Sequence, residues 1–511
     1  MSKLLAKITK EVDAGIFPDQ PDETPVFWND GQNIMFPPNY TIPAFGSSIV
    51  GELGAGGAIT GFGVIIYSGT TTAYVGNSDY IYKFTDPSAI WGPTQVGSGY
   101  TGTDQDVWVF APWGNWILAT NGVNAVQVDK GSNMANLDLD SQFVTAKIVL
   151  TDPGKQFAFA INTNVGNGLD VWWCNYNDPE TWLAAASNLA GDIAVKDTES
   201  EFKAGLLLGD NPVIYTRGGQ YSLAYVGAPD VWRISKTQDE IGAVGAHAVA
   251  AVGDLHFGFS PRGIWKSDGV SSSWIDYGWV RDYIYDDLEL TLLGGVVALH
   301  AARQNVIIFS FPSSGATEND RSVAFDYQSN RWTILGYGIS AGLSADAFDV
   351  EIVGFYTGVI AQFGLQTEAI NTPISGYGGV SSVGGAAVGY GEDGYGGYGT
   401  GEAGMVKLYS RPLNLPMLAD AQTYDDDKVA HVDFIRVAVE SPSPTLVAYV
   451  GFQEDADDAT TWSDSQSLST GHAKLFFDLQ DSKFWRLRLE DAQAATKWKM
   501  SGVEFHGEIL G

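Results

Sequence analysis

One serine lies in a setting typical of hydrolytic nucleophiles. Ser340 is flanked by Gly338 and Gly342 in the order G-x-S-x-G, which in α/β-hydrolases exposes a serine at a sharp turn between a strand and a helix. The residues that follow, LSADAFDVEIVGF, have the character of a strand and not of a helix. Because a chain with 61 glycines contains such matches by chance, we expect no catalytic role for Ser340.

Three overlapping G-x-G-x-x-G patterns begin at Gly389, Gly394 and Gly399. A dinucleotide-binding loop joins a strand to a helix whose N-terminus contacts the pyrophosphate, and neither neighbour is predicted here. The glycines belong to residues 376–404, where glycine recurs every five residues from Gly379 and four tyrosines are interspersed. A segment of this composition cannot bury a core. It therefore predicts a long loop, and the sequence indicates no cofactor.

The residues that could bind a metal do not have the spacing of a known metal-binding motif. Three acidic clusters lack the order of a calcium-binding loop; they comprise Asp138 with Asp140, Asp425 to Asp427, and Glu454, Asp455, Asp457 and Asp458. The six histidines form no H-E-x-x-H or His-x-His pair. His256 and His300 lie in apolar runs, where a buried, hydrogen-bonded histidine is the commoner case. We expect no metal site and solvated acidic loops.

Paired tryptophans are the remaining candidates for binding. Trp172 with Trp173, and Trp113 with Trp116, have flat faces that stack on sugar rings. The alternative is that they fill the core, since aromatic side chains at strand positions bury large areas. The strand-like surroundings favour the core, and sugar binding stays open. Carboxylate pairs for glycoside hydrolysis can always be found among 60 acids, but their separation cannot be read from a sequence.

The composition limits the class of protein. The chain has 511 residues, with 60 Asp and Glu against 28 Lys and Arg and a net charge of −32. Coating nucleic acid requires a basic face, so that class is excluded. The single cysteine, Cys174, cannot close an intrachain disulfide. The first 15 residues resemble no signal peptide, and no apolar run reaches the length of a membrane helix. We therefore expect a soluble protein made in the cytoplasm.

A strand motif recurs along the chain. Short apolar runs begin at seven positions whose spacings are 45, 45, 51, 42, 59 and 36 residues; they start at Tyr80, Ala125, Asp170, Tyr221, Gly263, Ser322 and Gly358. Most follow another apolar run and a Gly or Asn turn, as in a β-hairpin with alternating residues inward. Hairpins at this interval are typical of a β-propeller or of a sandwich with many strands. Since propeller blades take about 40 to 50 residues, we predict an all-β fold with a propeller of six or seven blades.

The sequence divides into four parts. We predict an N-terminal segment and entry to the propeller (1–57), the propeller (58–375), the Gly/Tyr-rich loop (376–404) and an appended antiparallel, sandwich-like β domain (405–511). Helix is predicted only in three short pieces: the first dozen residues, residues 196–207 and residues 279–290.

Residues 25–46, PVFWNDGQNIMFPPNYTIPAFG, carry the most specific pattern, W-x-D-G-x-N-hydrophobic-x-F followed by a glycine. It resembles the start of the tail nozzle proteins, also called tail-hub or packaged-DNA stabilisation proteins, of short-tailed bacteriophages. The matching positions are Trp28, Asp30, Gly31, Asn33, Ile34, Phe36 and Gly46. Residues 242–269, 302–333 and 408–415 are similar to later strands of that family. The five-residue glycine repeat has no counterpart there.

The resemblance implies a structural virion protein without catalytic activity. It implies a propeller with an appended β domain and six copies in a ring below the portal and adaptor rings. It also implies closure of the DNA channel, a platform for tail fibres or spikes, and location in the virion tail after assembly in the host cytoplasm. DNA would pass through without specific binding, and there would be no stable membrane insertion. The alternative is a carbohydrate-binding propeller, a lectin or receptor-binding tail protein; a secreted glycosidase has only the abundant acids in its favour.

Overall fold

The computed structural model of the chain is built almost entirely of strands. It describes residues 3–8, 28–36, 42–44, 47–53, 57–85, 93–165, 169–196, 200–345, 348–363, 406–410, 413–415, 429–440, 446–453, 459–468, 471–476, 481–482, 484–491 and 499–510. Helical structure in these residues comprises α1 (Trp279–Tyr285), two 3₁₀ turns, Leu293–Gly295 and Ala302–Gln304, and Leu415. No helix in these ranges has the length and apolar character needed to cross a membrane.

The chain forms two compact units. The first contains residues 1–48, 323–336 and 364–511, and the second contains residues 49–322 and 337–363. The predicted Gly/Tyr-rich loop, residues 376–404, lies outside the described residues, as do the acidic clusters at 425–427 and 454–458. The fourfold division made from the sequence stays a prediction.

Seven four-stranded antiparallel sheets follow one another along the chain, numbered here sheets 1 to 7. Their strands, each given from first to fourth, are as follows. Sheet 1 has β6 (Gly61–Tyr67), β7 (Thr70–Gly76), β8 (Tyr80–Phe84) and β9 (Thr94–Ser98); sheet 2 has β10 (Val109–Trp113), β11 (Trp116–Thr120), β12 (Gln127–Asp129) and β13 (Met134–Asn136). Sheet 3 has β14 (Ala146–Asp152), β15 (Phe157–Thr163), β16 (Asp170–Trp173) and β17 (Gly191–Ala194); sheet 4 has β18 (Ala204–Leu208), β19 (Asn211–Tyr215), β20 (Gly219–Gly227) and β21 (Val231–Asp239). Sheet 5 has β22 (Val249–Val252), β23 (Leu255–Ser260), β24 (Gly263–Ser267) and β25 (Ser272–Trp274); sheet 6 has β26 (Val297–Ala301), β27 (Val306–Phe311), β28 (Arg321–Asp326) and β29 (Arg331–Leu335); sheet 7 has β30 (Ala341–Leu343), β31 (Glu351–Gly354), β32 (Val359–Phe363) and, from the start of the chain, β5 (Ser47–Glu52).

The first strands of these sheets form a cycle. Each contacts the first strand of the next sheet, and β30 of sheet 7 contacts β6 of sheet 1. Apolar side chains fill the space between neighbouring sheets; one core joins sheets 3 and 4, and another joins sheets 1 and 7. This is the strand arrangement of a β-propeller, as predicted from the repeat.

The inner strands are buried on both faces. All seven residues of β15 and all six of β27 are buried, so these strands are mostly apolar and do not alternate between apolar and polar residues. Tight turns join them. The turn between β6 and β7 consists of Ser68 and Gly69, both with positive φ, as a two-residue type I′ hairpin requires.

Two further sheets belong to the first unit. One has the order β1 (Lys3–Ile8), β41 (Lys499–Leu510), β35 (Val429–Glu440) and β39 (Gly471–Leu475). The other has the order β2 (Trp28–Gln32), β33 (Val406–Ser410), β40 (Phe484–Asp491), β36 (Leu446–Gln453) and β37 (Thr461–Trp462), with β34 (Leu413–Asn414) on β40 and β38 (Gln466–Ser467) on β36. A short antiparallel pair, β3 (Ile34–Met35) and β4 (Ile42–Pro43), follows β2 along the chain. The long strands β35, β36, β40 and β41 alternate between buried and partly exposed residues, so each sheet has one buried face.

Two of the three helix predictions are wrong. The segment at 279–290 does contain α1, but residues 3–8 form β1 against β41 and residues 204–208 form β18. In both cases pairing with a distant or adjacent strand outweighs local helix propensity.

Candidate functional site

Ser340 does not occupy a nucleophile elbow. It immediately precedes β30 instead of following a strand, and its N–H donates to the Gly354 carbonyl at 2.9 Å. The side chain is 3% exposed, and its Oγ has no hydrogen-bond partner among the described residues. A buried hydroxyl at a strand start offers no access to substrate. The structure thus gives Ser340 a place in the propeller interior.

The paired tryptophans are mainly structural. Trp173 is buried and its Nε1 donates to the Leu189 carbonyl at 2.8 Å. Trp172 is half-buried, and its Nε1 donates to the carboxylate of Asp170 at 2.7 Å. Trp113 and Trp116 lie opposite each other on β10 and β11 and pack on the core between sheets 2 and 3. Lys130 Nζ lies 4.6 Å from the centroid of the Trp116 ring.

Asp140 and His256, two of the residues considered as metal ligands, make structural hydrogen bonds. Asp140 Oδ2 accepts the N–H groups of Trp182 and Leu183 at 2.7 and 3.1 Å. His256 is fully buried between the Tyr215 hydroxyl (2.7 Å) and the Leu207 carbonyl (2.9 Å). Burial lowers the pKa of His256 to about 4, so the ring is neutral at pH 7. No cluster of potential metal ligands occurs in the described part of the chain.

A loop bridges the centre of the propeller at one end. Residues 101–107, here called the axial loop, precede β10 of sheet 2. Gly295, just before β26 of sheet 6, donates its N–H to Gln105 Oε1 at 2.9 Å. His247, just before β22 of sheet 5, contacts the carbonyl of Trp108 through Nε2 at 3.0 Å. In the cycle of seven sheets, sheets 5 and 6 are the two that lie farthest from sheet 2, three sheets away in either direction. These contacts therefore cross the centre of the propeller.

Three carboxyl groups gather beside the axial loop. Burial, together with the neighbouring carboxylates of Asp104 and Asp320, raises the pKa of Glu318 to about 7. Burial likewise raises the pKa of Asp104. The hydroxyl of Tyr356 accepts the backbone N–H of Asn319, and its pKa is raised by burial and by the same carboxylates. These residues lie in connections next to sheets 2, 6 and 7. The closing of the cycle of sheets therefore brings the three carboxyl groups together at the end of the propeller where the axial loop lies.

Glu318 makes the stability of this end dependent on pH. Its folded pKa of about 7 exceeds the ordinary 4.5, so the folded state holds the proton more tightly and the free energy of unfolding falls as pH rises from 4.5 to 7. We expect Glu318→Gln to raise the free energy of unfolding by about 1 kcal/mol at pH 8, after allowance for partial solvent screening. At pH 4.5 the gain should vanish.

Urea denaturation of both proteins at the two pH values measures the difference. Glu52→Gln, at an exposed glutamate, is the control and should show no such dependence. An equal effect of Glu318→Gln at both pH values would contradict the assignment.

The motif at residues 28–36 is a strand junction. β2 pairs with β33, and Asn33 follows it with a φ of 57° and no solvent exposure. The Asn33 N–H donates to the Ile334 carbonyl at 2.9 Å, and its Oδ1 accepts the N–H of Gly336 at 2.9 Å. Asparagine suits this position because it tolerates the left-handed region better than most residues. The Phe36 carbonyl accepts the Arg331 guanidinium at 2.5 Å.

Sequence reasoning did not identify the axial loop or its carboxyl groups. Asp104, Glu318 and Tyr356 are far apart along the chain and follow no motif. Their proximity depends on which sheets face each other across the cycle, and the only signal was that each lies in a polar connection between apolar runs.

Comparisons with known proteins show similarity in strand arrangement alone. No protein-family model matches the chain, and no curated protein matches its sequence. Among solved structures it is similar to the computationally designed Ika8 protein, with a TM-score of 0.38 and 10% identity, over 62% of this chain and 99% of that one. It is also similar to YCF48 bound to D1 peptide, with a TM-score of 0.39 and 12% identity, over 62% of this chain and 96% of that one. Neither similarity bears on what this chain binds.

Proposed function

We propose that the chain is a structural virion protein, the tail nozzle of a short-tailed bacteriophage. Six copies form a ring below the portal and adaptor, extend and close the DNA channel, and carry fibres or spikes. The protein has no catalytic role in this proposal. Each copy contributes a seven-bladed propeller and the β sheets of the first unit. The count of seven rests on the seven sheets and on β5, which completes the last one.

One observation carries the proposal most directly. The residues that resemble the nozzle family at the start of the chain are architectural: Asn33 is buried and its backbone and side chain tie β2 to the end of β29. A motif of this kind determines how strands of the chain pack together, and it has no part in binding a substrate. The candidate catalytic serine, Ser340, is buried, which agrees with an assembly role.

The DNA path in this proposal runs between copies. The axial loop bridges the propeller centre through Gln105 and Gly295, so the conduit is the hole enclosed by the ring of subunits. Each copy has a net charge of −32, and acidic walls give phosphates no place to bind.

We therefore expect the purified protein to show no affinity for double-stranded DNA at moderate salt. Fluorescence anisotropy of a labelled duplex, titrated with protein between 50 and 200 mM salt, measures this. A basic DNA-binding protein of similar size is the positive control. Tight binding that weakens steeply with salt would contradict the proposal, because it would reveal a basic face on an acidic protein.

A carbohydrate-binding propeller is the second candidate. Tyr176 and Tyr225 are 53% and 43% exposed and both pack on the Phe157 ring, which leaves two aromatic faces available for stacking. A glycan array separates the two functions. Saturable binding of one glycan class by a monomeric protein, lost in Tyr176→Ala, would favour the lectin.

A further inference from the structure

The hairpin of β20 and β21 is longer than any other in the seven sheets. Each strand has nine residues, whereas the other strands of these sheets have three to seven. The neighbouring strand β19 pairs with β20 only from Gln220 to Ser222. Beyond Ser222, residues 223–227 and 231–234 pair only with each other. This part, here called the ribbon, is a two-stranded extension of sheet 4.

One side of the ribbon is held by aromatic packing. Trp232 is 2% exposed and meets the rings of Phe159 and Phe157 edge-on, with centroids 4.9 and 5.4 Å apart. Tyr225 packs against Trp232 at 5.4 Å. An isolated two-stranded hairpin is marginally stable in water, so this aromatic base fixes the ribbon in place. The ribbon is therefore a rigid feature.

The opposite side of the ribbon is exposed. Because side chains alternate along a strand, Ala224 and Val226 share this side with Arg233 and Ser235, and all four are exposed. Val226 is 43% exposed. The Arg233 guanidinium has no ion pair within the described part of the chain. Apart from Arg233, the named side chains of this face are small, and Arg233 is an unpaired cation in a protein of net charge −32.

A complementary surface occurs at α1. Asp282, in α1, and Asp286, the C-cap residue that follows the helix, are exposed, lie four residues apart, and have no ion pair in the described structure. Like charges at this spacing repel each other. Leu290, 69% exposed, and Tyr277, 61% exposed, flank the same segment in sequence. A cation from outside the chain would relieve the repulsion, and the apolar neighbours would bury area.

We propose that the ribbon of one copy docks on the α1 segment of a second copy. Arg233 pairs with Asp282 and Asp286, while Val226 contacts the exposed apolar residues beside α1. The two surfaces are different, so the contact is heterologous, and repetition around an axis gives a closed ring. The inference rests on the proposed ring of six copies and names the surface that builds it.

Charge reversal with rescue tests the contact. We expect Arg233→Glu to reduce the mass measured by sedimentation velocity from that of a ring to that of the 54.8 kDa single chain. Asp286→Arg should act in the same way, and the double variant should restore the ring because the charges are exchanged. Arg217→Glu, at an exposed arginine in the turn between β19 and β20 and outside the ribbon, is the matched control and should leave the ring intact. Unchanged melting temperatures show that each variant is folded.

The outcomes separate this inference from the proposed function. A wild-type protein that stays monomeric at high concentration, both alone and with the adaptor ring present, would overturn both. A ring that persists in Arg233→Glu would overturn the ribbon contact and leave the nozzle proposal standing. Disassembly in both single variants without rescue in the double variant would overturn the pairing of the ribbon with α1.

Discussion

Deletion of residues 1–53 is expected to lower the melting temperature of the propeller strongly. The deletion removes β5, the outermost strand of sheet 7, and Leu53, which is buried in the core between sheets 1 and 7. Leu53 also donates its N–H to the Gly358 carbonyl at 2.9 Å. Loss of several ladder hydrogen bonds at about 1 kcal/mol each, together with about 2 kcal/mol for Leu53, amounts to much of a typical folding free energy. We expect the melting temperature to fall by more than about 10 °C.

Deletion of residues 1–27 is the control for this experiment. It removes β1, which pairs with β41 at the edge of its sheet among the described strands, and retains β5. Differential scanning calorimetry should show a propeller transition close to that of the full chain. A synthetic peptide of residues 44–57 added to the larger deletion should restore part of the loss. Equal melting temperatures for the full chain and the 1–53 deletion would show that β5 does not complete the ring.

Replacement of Asp129 by alanine is expected to destabilise the protein by about 3 kcal/mol or more at pH 7, the range for breaking a buried charged pair. Asp129 is fully buried, and its carboxylate accepts the Tyr74 hydroxyl at 2.9 Å and Lys83 Nζ at 3.0 Å. It also accepts the N–H groups of Gly131 and Ser132 at 2.7 and 2.6 Å. Without it, the Tyr74 hydroxyl loses its acceptor between sheets 1 and 2, and Lys83 loses its carboxylate partner and keeps the Ser132 carbonyl.

The effect should depend on pH. Burial alone would raise the pKa of Asp129, but hydrogen bonds from Lys83, Tyr74 and Gly131 hold it below the ordinary 3.8. A carboxyl with a depressed folded pKa stabilises the protein above its unfolded pKa, and this stability is lost as pH falls through the folded value. The difference between wild type and Asp129→Ala should therefore shrink below about pH 4. Urea denaturation measures it, with exposed Asp138→Ala as the control. A constant difference down to pH 2.5 would contradict the assignment.

The repeat could be recognised in the sequence because the seven apolar runs occupy the same position in each sheet. All seven recurring runs became the third strand of a sheet, from β8 and β12 to β28 and β32. Several fourth strands could not be recognised, since strands such as β25 (Ser272–Trp274) are short and fully exposed and carry no apolar pattern. The pairing of β5 with β32 was equally invisible, because strands that meet across some 300 residues leave no local signal.

The site was less predictable than the fold. The G-x-S-x-G pattern had to be judged by its context: Ser340 matches a nucleophile motif but immediately precedes β30, and its burial follows from sheet packing. The prediction for His256 is confirmed, because an apolar strand forces a histidine to find partners such as Tyr215. The carboxyl groups around Glu318 follow no motif, since two connections that are far apart in sequence bring them together. The ribbon was present in the sequence as YSLAYV, but only the pairing shows that it extends beyond β19.

The central claim is that copies of this chain form a closed ring. Negatively stained images of the purified full-length protein, with the mass measured in the same buffer, test it most directly. The account predicts rings of six copies with an open centre, and a mass six times that of the 54.8 kDa chain. A protein that stays monomeric at high concentration, alone and with the adaptor ring present, and that binds one glycan class with saturation, would contradict it.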